Sequence, residues 1–280
     1  MKKKTRHCHS MEPGNQENIL FPWKNSPHNL GIVPFFTTRR GGTSQGNWAG
    51  FNLGDHVEDR PEDVMRNREI LLHALGPQAR ELIMLNQVHG NRVVQADPTA
   101  PRPDADGVVT NRCGVVIGVL TADCVPVLLA DPVARVVGAA HAGWRGAAAG
   151  VVENTILAME SLGAKKNQLH ALIGPAIQAA NYEVDLAFRD QLLKPSENKM
   201  NEAWQKFFSN GEKADKLEFD LPGYVHARLI KTGIDARLII NLEQCTYALE
   251  SLFFSHRRAV HRGQAPCGRQ FSGIFLVPES

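Results

Sequence analysis

Short, wholly apolar runs alternate along the chain with polar connectors marked by glycine and proline. Three runs follow one another closely: GVVIGVL (114–120), VPVLLA (125–130) and VVGAAHA (136–142). Valine-rich, without polar alternation and too short for helices, they read as strands buried on both faces. GIVPFF (31–36) is a strand that runs into a glycine-rich loop reaching residue 54. LHALIGP (169–175), LIINLEQCTY (238–247) and FSGIFLVP (271–278) add further strands. LIMLNQVHGNRVVQAD (82–97) reads as strand, turn, strand with His89-Gly90-Asn91 at the turn, and PDADGVVTN (103–111) as a loop.

Helical spacing occurs in four places. Residues 61–75 start at Pro61, place Val64, Ile70, Leu71 and Leu75 on one side, and stop at Gly76-Pro77. Residues 147–163 form a second helix that ends at Gly163. Residues 184–208 and 221–232 supply two more. Strands come in hairpins and meanders as well as alternating with helices, so the expected class is α+β, with mixed β-sheets layered with helices. No repeat or low-complexity linker divides the chain. It is expected to form one domain over residues 19–280, preceded by a polar tail over residues 1–18.

Composition narrows the function classes. A hydrophobic share of 43% in 280 residues suffices for one large core. The net charge of +2 singles out neither nucleic acid nor an anionic membrane, and the one basic cluster, Lys2 to Arg6, lies at the N-terminus. No apolar run reaches 18 residues, and the polar stretch after the N-terminal lysines lacks the apolar core of a signal peptide. The five cysteines are odd in number and show no CxxC spacing, which suits a reduced, cytoplasmic protein. A monomer is expected, with no nucleic-acid or membrane partner. The His7-Cys8-His9 tripeptide has copper-like alternation but reads as a solvated part of the tail.

Candidate chemistry concentrates at Cys124 and His141. If Asp131-Pro132-Val133-Ala134 forms the turn and Ala130 pairs with Arg135, Leu128 faces Val137, Pro126 faces Ala139, and Cys124 faces His141 on the same side of the ladder. A one-residue slip would separate them. Pro126 then belongs at an edge or bulge. Such a pair serves as a nucleophile with its base, as two metal ligands, or as no more than a buried thiol near a satisfied imidazole. Of the eleven histidines, His7 and His9 sit in the tail, His73 and His226 in helical stretches and His170 at a strand start. His89 precedes a glycine at a turn and completes a Cys-His-His set with one open position. Asp123, Gln87 and Asp106 are nearby as supporting groups or proton carriers.

Other signatures are missing. HExxH, GxGxxG and the P-loop lysine are absent, and His56-Val57-Glu58 matches only the first half of the nucleobase-deaminase pattern. The Arg39-Arg40-Gly41-Gly42-Thr43-Ser44 loop suits an anion cradle.

At these residues the chain closely resembles the YfiH-type family, known variously as multicopper polyphenol oxidases, laccase-domain proteins, purine nucleoside phosphorylases and peptidoglycan editing factors. The matching pieces are TTRRGGTS, FNLGDHV, NQVHGNRV, DADGVVTN, TADCVPVLLAD, AAHAGWRG, IGPAIQAANYEV, FFSHRR and CGRQ, in the family's order over residues 31–277. The resemblance implies one metal, zinc with copper also claimed, on His89, Cys124 and His141. It implies phosphorolysis of adenosine, inosine and methylthioadenosine, and deamination of adenosine. The partners implied are a purine nucleoside and phosphate. Cys124, His141 and Asp123 would carry the chemistry, and Arg39, Ser44, Arg68, Arg92 and Arg145 would hold substrate. A fold-level likeness to cysteine–histidine toxin deamidases keeps a metal-free hydrolase as an alternative, beside a copper-dependent polyphenol oxidase and a peptidoglycan editing factor. Departures from the family's usual residues at Ala176, Ala179, His256 and Cys267 bear on substrate preference.

Overall fold

The computed structural model describes residues 19–20, 31–193, 204–213 and 215–278. In chain order the elements are β1 (Ile32–Phe36), α1 (Pro61–Leu75), β2 (Glu81–Leu82), β3 (Val93–Gln95), β4 (Gly107–Thr110), β5 (Val115–Thr121), β6 (Val125–Asp131), β7 (Val136–Ala142), α2 (Trp144–Ala149), α3 (Val151–Ser161), β8 (His170–Ile173), β9 (Glu183–Asp185), α4 (Leu186–Leu192), β10 (Phe208–Asn210), β11 (Lys216–Phe219), α5 (Leu221–Lys231), β12 (Ile239–Asn241), α6 (His256–His261) and β13 (Gln270–Leu276). The tail over residues 1–18 and most of the stretch between α4 and β10 lie outside the described residues.

Burial of β5, β6 and β7 at every position explains their unbroken apolar runs. β6 and β7 are the middle of a six-stranded sheet ordered β12-β8-β6-β7-β4-β3, while β5 belongs to a four-stranded sheet ordered β1-β13-β5-β2. Leu128, Ala130, Val137 and Ala139 pack against Ile117, Val119 and Ile274 between the two sheets. On the other side of the six-stranded sheet, Val127, Leu129 and Ala140 meet Ile156 and Met159 of α3 and Val225 and Leu229 of α5. The far face of the four-stranded sheet presents Val116, Leu120 and Phe275 to Leu71 of α1. The order of layers is therefore helix, sheet, sheet, helix. Each Val or Leu so enclosed contributes about 1.5–3 kcal/mol.

The mixed α+β class holds, and helix α1 has the predicted bounds. Several local readings change. The connection between β6 and β7 spans residues 132–135, with Asp131 Oδ1 accepting from Val133 N (2.9 Å) and Ala134 N (2.8 Å) and Arg135 left-handed at φ 53°. This longer turn moves the register by two: Ala130 pairs with Val137 and Pro126 with His141. A shift of two preserves the face, so Cys124 and His141 remain on the same side. Pro126 lies inside the sheet rather than on its edge strand, at the point where β8 has ended and Gly174 N donates to its carbonyl (3.0 Å).

The predicted 82–97 hairpin does not form. β2 pairs parallel with β5 and β3 parallel with β4, in different sheets. The predicted 103–111 loop contains β4, buried along its whole length. The 147–163 helix is two helices, broken where Gly150 takes φ 93°. In the predicted 184–208 helix, the described residues hold α-helix over Leu186–Leu192 and a short 3-10 turn over Gln205–Phe207; β9, β10 and β11 form a small sheet whose Phe208 stacks on Phe219 (4.7 Å).

Candidate metal centre

Cys124 follows Asp123, a residue with φ 95°, in the turn between β5 and β6. His141 stands near the end of β7. His89 is the apex of the loop between β2 and β3, itself left-handed at φ 59°. Three segments remote in sequence thus converge, and the ligand atoms of His89, Cys124 and His141 all lie within 4.8 Å of one another. The two imidazoles meet edge to face with centroids 4.8 Å apart. His141 is buried, Cys124 half-buried and His89 exposed, so the site opens on the His89 side. Among the described residues no other cluster of this kind is found.

One carboxylate organises both histidines. Asp106, fully buried just before β4, accepts from His141 Nδ1 (2.8 Å) and from three successive backbone N–H groups, Val88 (3.2 Å), His89 (3.0 Å) and Gly90 (2.6 Å). It fixes the His89 loop, and its bond to Nδ1 leaves Nε2 of His141 for the site. Burial opposes ionisation of Asp106, but the bond from His141 and the backbone donors hold its carboxyl below the ordinary value. Gln87 clamps the same loop to β5 through Leu120, donating to its carbonyl (2.8 Å) and accepting from its N–H (2.7 Å).

The Gly-Trp-Arg-Gly corner is explained by close approach. A Cβ at Gly143 would lie 3.0 Å from Cys124 Sγ and 3.1 Å from His89 Cδ2, pressing on two members of the trio. A Cβ at Gly146 would lie 2.7 Å from the Gly90 carbonyl, so this glycine lets α2 pack on the His89 loop. Trp144 packs against Phe188 (4.8 Å), and its ring lies under the Arg145 guanidinium (4.5 Å).

The pair Cys124–His141 is strongly polarised. Burial pushes the thiol up, but the charge of His141 and hydrogen bonds from both imidazoles outweigh it and bring Cys124 down to about 6. Burial lowers His141, yet Cys124 and Asp106 raise it to about 9. Both shifts favour the thiolate–imidazolium form of the metal-free pair. The donor set of two imidazoles and a thiolate suits a tetrahedral zinc ion, whose Zn–N and Zn–S bonds would put ligand atoms ~3.4–3.6 Å apart, inside the 4.8 Å span that encloses these three.

The remaining predicted site residues are dispersed. Asp123 accepts from Thr246 Oγ1 and from Arg257 N, both at 2.7 Å, and so ties the Cys124 turn to the start of α6. Ser44 is buried, donating to Asp59 (2.7 Å) and accepting from Asn67 (3.1 Å) within a network that shapes the 39–54 loop. Arg68 binds the Leu53 carbonyl and Asp55. Arg92 is exposed and donates to the Asp104 carbonyl. Arg39 lines a cavity that none of the trio lines. Of the predicted arginines, Arg145 is the one joined to the trio's surroundings, through its influence on Tyr182.

Several residues around the trio were not assigned from sequence. Burial, then Arg269, hold His56 at about 4, with His141 adding to the effect. Burial and Arg269 also lower His256. Burial and the Cys124 charge raise Tyr182, whose ring lies 5.1 Å from the Arg257 guanidinium. All sit in segments that the motif resemblance had marked, but composition gave no reason to choose them over their neighbours.

Residues 33–277 match the family described as multi-copper polyphenol oxidoreductase laccase. The chain belongs to this family. A protein of Corynebacterium glutamicum named purine nucleoside phosphorylase is 37% identical over 273 residues, covering 91% of this chain and 98% of its own. A crystal structure from Neisseria meningitidis, of the DUF152 family, superposes with a TM-score of 0.80 at 35% identity over 94% of this chain and all of its own. The structure of YlmD from Geobacillus stearothermophilus gives 0.79 at 29% identity, over 93% of this chain and all of its own. The YfiH-type resemblance seen in the motifs and the layered single-domain fold both stand. Among the described residues no helix is long and apolar enough to cross a membrane.

Proposed function

We propose that this member of the laccase family is a zinc-dependent purine nucleoside enzyme. It cleaves adenosine, inosine and methylthioadenosine by phosphorolysis and converts adenosine to inosine. The observation that carries the reading is the His89–Cys124–His141 set, open on one side, backed by Asp106 and kept free by Gly143. The relative from Corynebacterium glutamicum, named purine nucleoside phosphorylase, supports the substrate class. Two borderline nitrogen donors and one thiolate favour zinc. Bound there, the ion supplies Lewis acidity at the open position.

The chain's own groups do the rest. Asp106 orients both histidines. Asp123, with each oxygen engaged, braces the turn that presents Cys124. Arg145, Arg257 and Arg269 supply positive charge for phosphate, with forked donors suited to its oxygens. His56, neutral at pH 7, offers a hydrogen-bonding edge to the purine. The test is chromatography of inosine and adenosine incubated with the protein in phosphate buffer. Free base from both, and inosine from adenosine without phosphate, are expected; intact nucleosides alongside oxygen uptake with phenols would point to a copper oxidase instead.

A second reading rests on one observation: Cys124, His141 and Asp106 also form the thiolate–imidazolium–carboxylate line of a cysteine hydrolase. It makes the trio metal-free in the active protein, a difference that alkylation resolves.

A further inference from the structure

We infer that a second site, for a small phosphate-class dianion, lies in the cavity of about 250 Å³ built around Arg39, Arg258 and Arg262. Three guanidinium groups line it against one carboxylate, Glu250, leaving two positive charges in excess. Their roles differ. Arg258 is 6% exposed, and its nitrogens donate to the carbonyls of Thr246 (2.7 Å), Tyr247 (2.7 Å) and Phe253 (2.6 Å). It is a fixed, desolvated charge in the floor. Arg262 is held by both oxygens of Glu250. Arg39 has no carboxylate partner among the described residues. It lies 4.7 Å over the Phe254 ring and makes one side-chain hydrogen bond, Nη2 to the Ala49 carbonyl at 3.2 Å. Its Nε and Nη1 remain available.

Such a group is held at a cost that a bound anion would relieve. Burial and repulsion from Arg258 both disfavour the charge on Arg39. The free edge of its fork matches two oxygens of a tetrahedral anion, and the exposed amides of Asn47 and Gln264 stand in the same lining. The enclosed volume suits inorganic phosphate or a small phosphate ester, and the excess charge suits a dianion.

This cavity is distinct from the metal centre. Phe254, Ala259 and Cys267 line it and form one apolar cluster with Ala122, which leads into Asp123 and Cys124. The cluster packs between this cavity and the Cys124 turn, none of the trio lines the cavity, and the inference does not rest on the nucleoside reading.

The test is calorimetric titration of the full chain with inorganic phosphate, in wild type and in Cys124→Ala, Arg39→Gln, Arg39→Lys and Gln264→Glu. Wild type and Cys124→Ala bind one phosphate in common. Arg39→Gln weakens that binding at least tenfold, and Arg39→Lys, which keeps the charge but loses the fork, weakens it less. Gln264→Glu adds a carboxylate at an exposed position, weakening binding severalfold whether or not the Arg39 variants fold. Titration with glycerol phosphate separates the sources: binding of both ligands indicates a phosphate ester, and binding of inorganic phosphate alone the free ion. The inference is overturned if wild type takes up no phosphate, if Cys124→Ala abolishes binding, or if Arg39→Gln and Gln264→Glu bind as wild type does.

Discussion

Replacing Gly143 with alanine is a small perturbation aimed at the metal centre alone. Gly143 has φ −64° and ψ 160°, extended backbone open to any residue, and as a glycine it supplies no side-chain cap to α2 that an alanine would remove. The added methyl carbon meets Cys124 Sγ at 3.0 Å and His89 Cδ2 at 3.1 Å. Non-bonded heavy atoms settle at ~3.5–4.0 Å, so one or both ligands must retreat by ~0.5–1 Å. Metal–ligand distances tolerate only about 0.2 Å. Zinc affinity should therefore fall at least ~10-fold, equivalent to ~1.4 kcal/mol, while the metal-free protein should change in stability by less than ~1 kcal/mol. Competition titration against a chromophoric chelator reads the first quantity, and thermal denaturation of the stripped protein the second. Zinc affinity equal to wild type would refute the placement of the ligands around Gly143. A large loss of stability in the stripped protein would show that the methyl disturbs the fold instead.

Three other outcomes follow from the same geometry. His89→Ala, Cys124→Ala and His141→Ala should each lose the metal by elemental analysis while keeping the wild-type circular dichroism spectrum; full occupancy in any one removes that residue from the ligand set. Asp106→Asn replaces one of two accepting oxygens with an NH2 group facing existing donors, so it should cost ~2–4 kcal/mol of stability in denaturant titration and reduce zinc affinity ~10–100-fold. In metal-free protein, alkylation of Cys124 should rise with a midpoint near 6, and His141→Ala should move that midpoint upward, because His89 alone then opposes burial. The lowered Cys124 stabilises the metal-free fold at alkaline pH and loses that contribution as pH falls through about 6; the raised His141 contributes at acid pH and loses it as pH rises through about 9. The stability difference between wild type and Cys124→Ala should thus be largest between those values.

The site was legible in the sequence to a greater depth than the fold around it. Cys124 and His141 flank runs whose strand character was unmistakable, and an error of two in register left them on one face. The error came from the turn: nothing in Asp131-Pro132-Val133-Ala134-Arg135 announces that Arg135 takes φ 53° and lengthens the loop. His89 was found through its glycine neighbour, although the hairpin imagined around it does not exist. β2 and β3 pair with strands of different sheets, and such partners are invisible to local periodicity. Gly107–Thr110 was hidden behind Asp104 and Asp106, and Asp106 turns inward because four donors meet it. The arginines were least legible. A guanidinium in a promising motif looks the same whether it is spent on a carbonyl, as Arg68 and Arg92 are, or lines a cavity, as Arg39 does.

The proposed function requires Cys124 to act as a metal ligand in the working enzyme. Peptide-mapped alkylation of Cys124 by iodoacetamide, run beside nucleoside turnover before and after chelation, separates this role from that of a nucleophile. A thiolate shared with zinc is shielded from alkylation, whereas one activated by an imidazolium is exposed to it. Cys124 should be spared in the native protein and labelled once the metal is stripped, and turnover should be lost on chelation and restored by zinc. Rapid labelling of Cys124 in protein that stays fully active after chelation would contradict the ligand role and establish the cysteine hydrolase in its place.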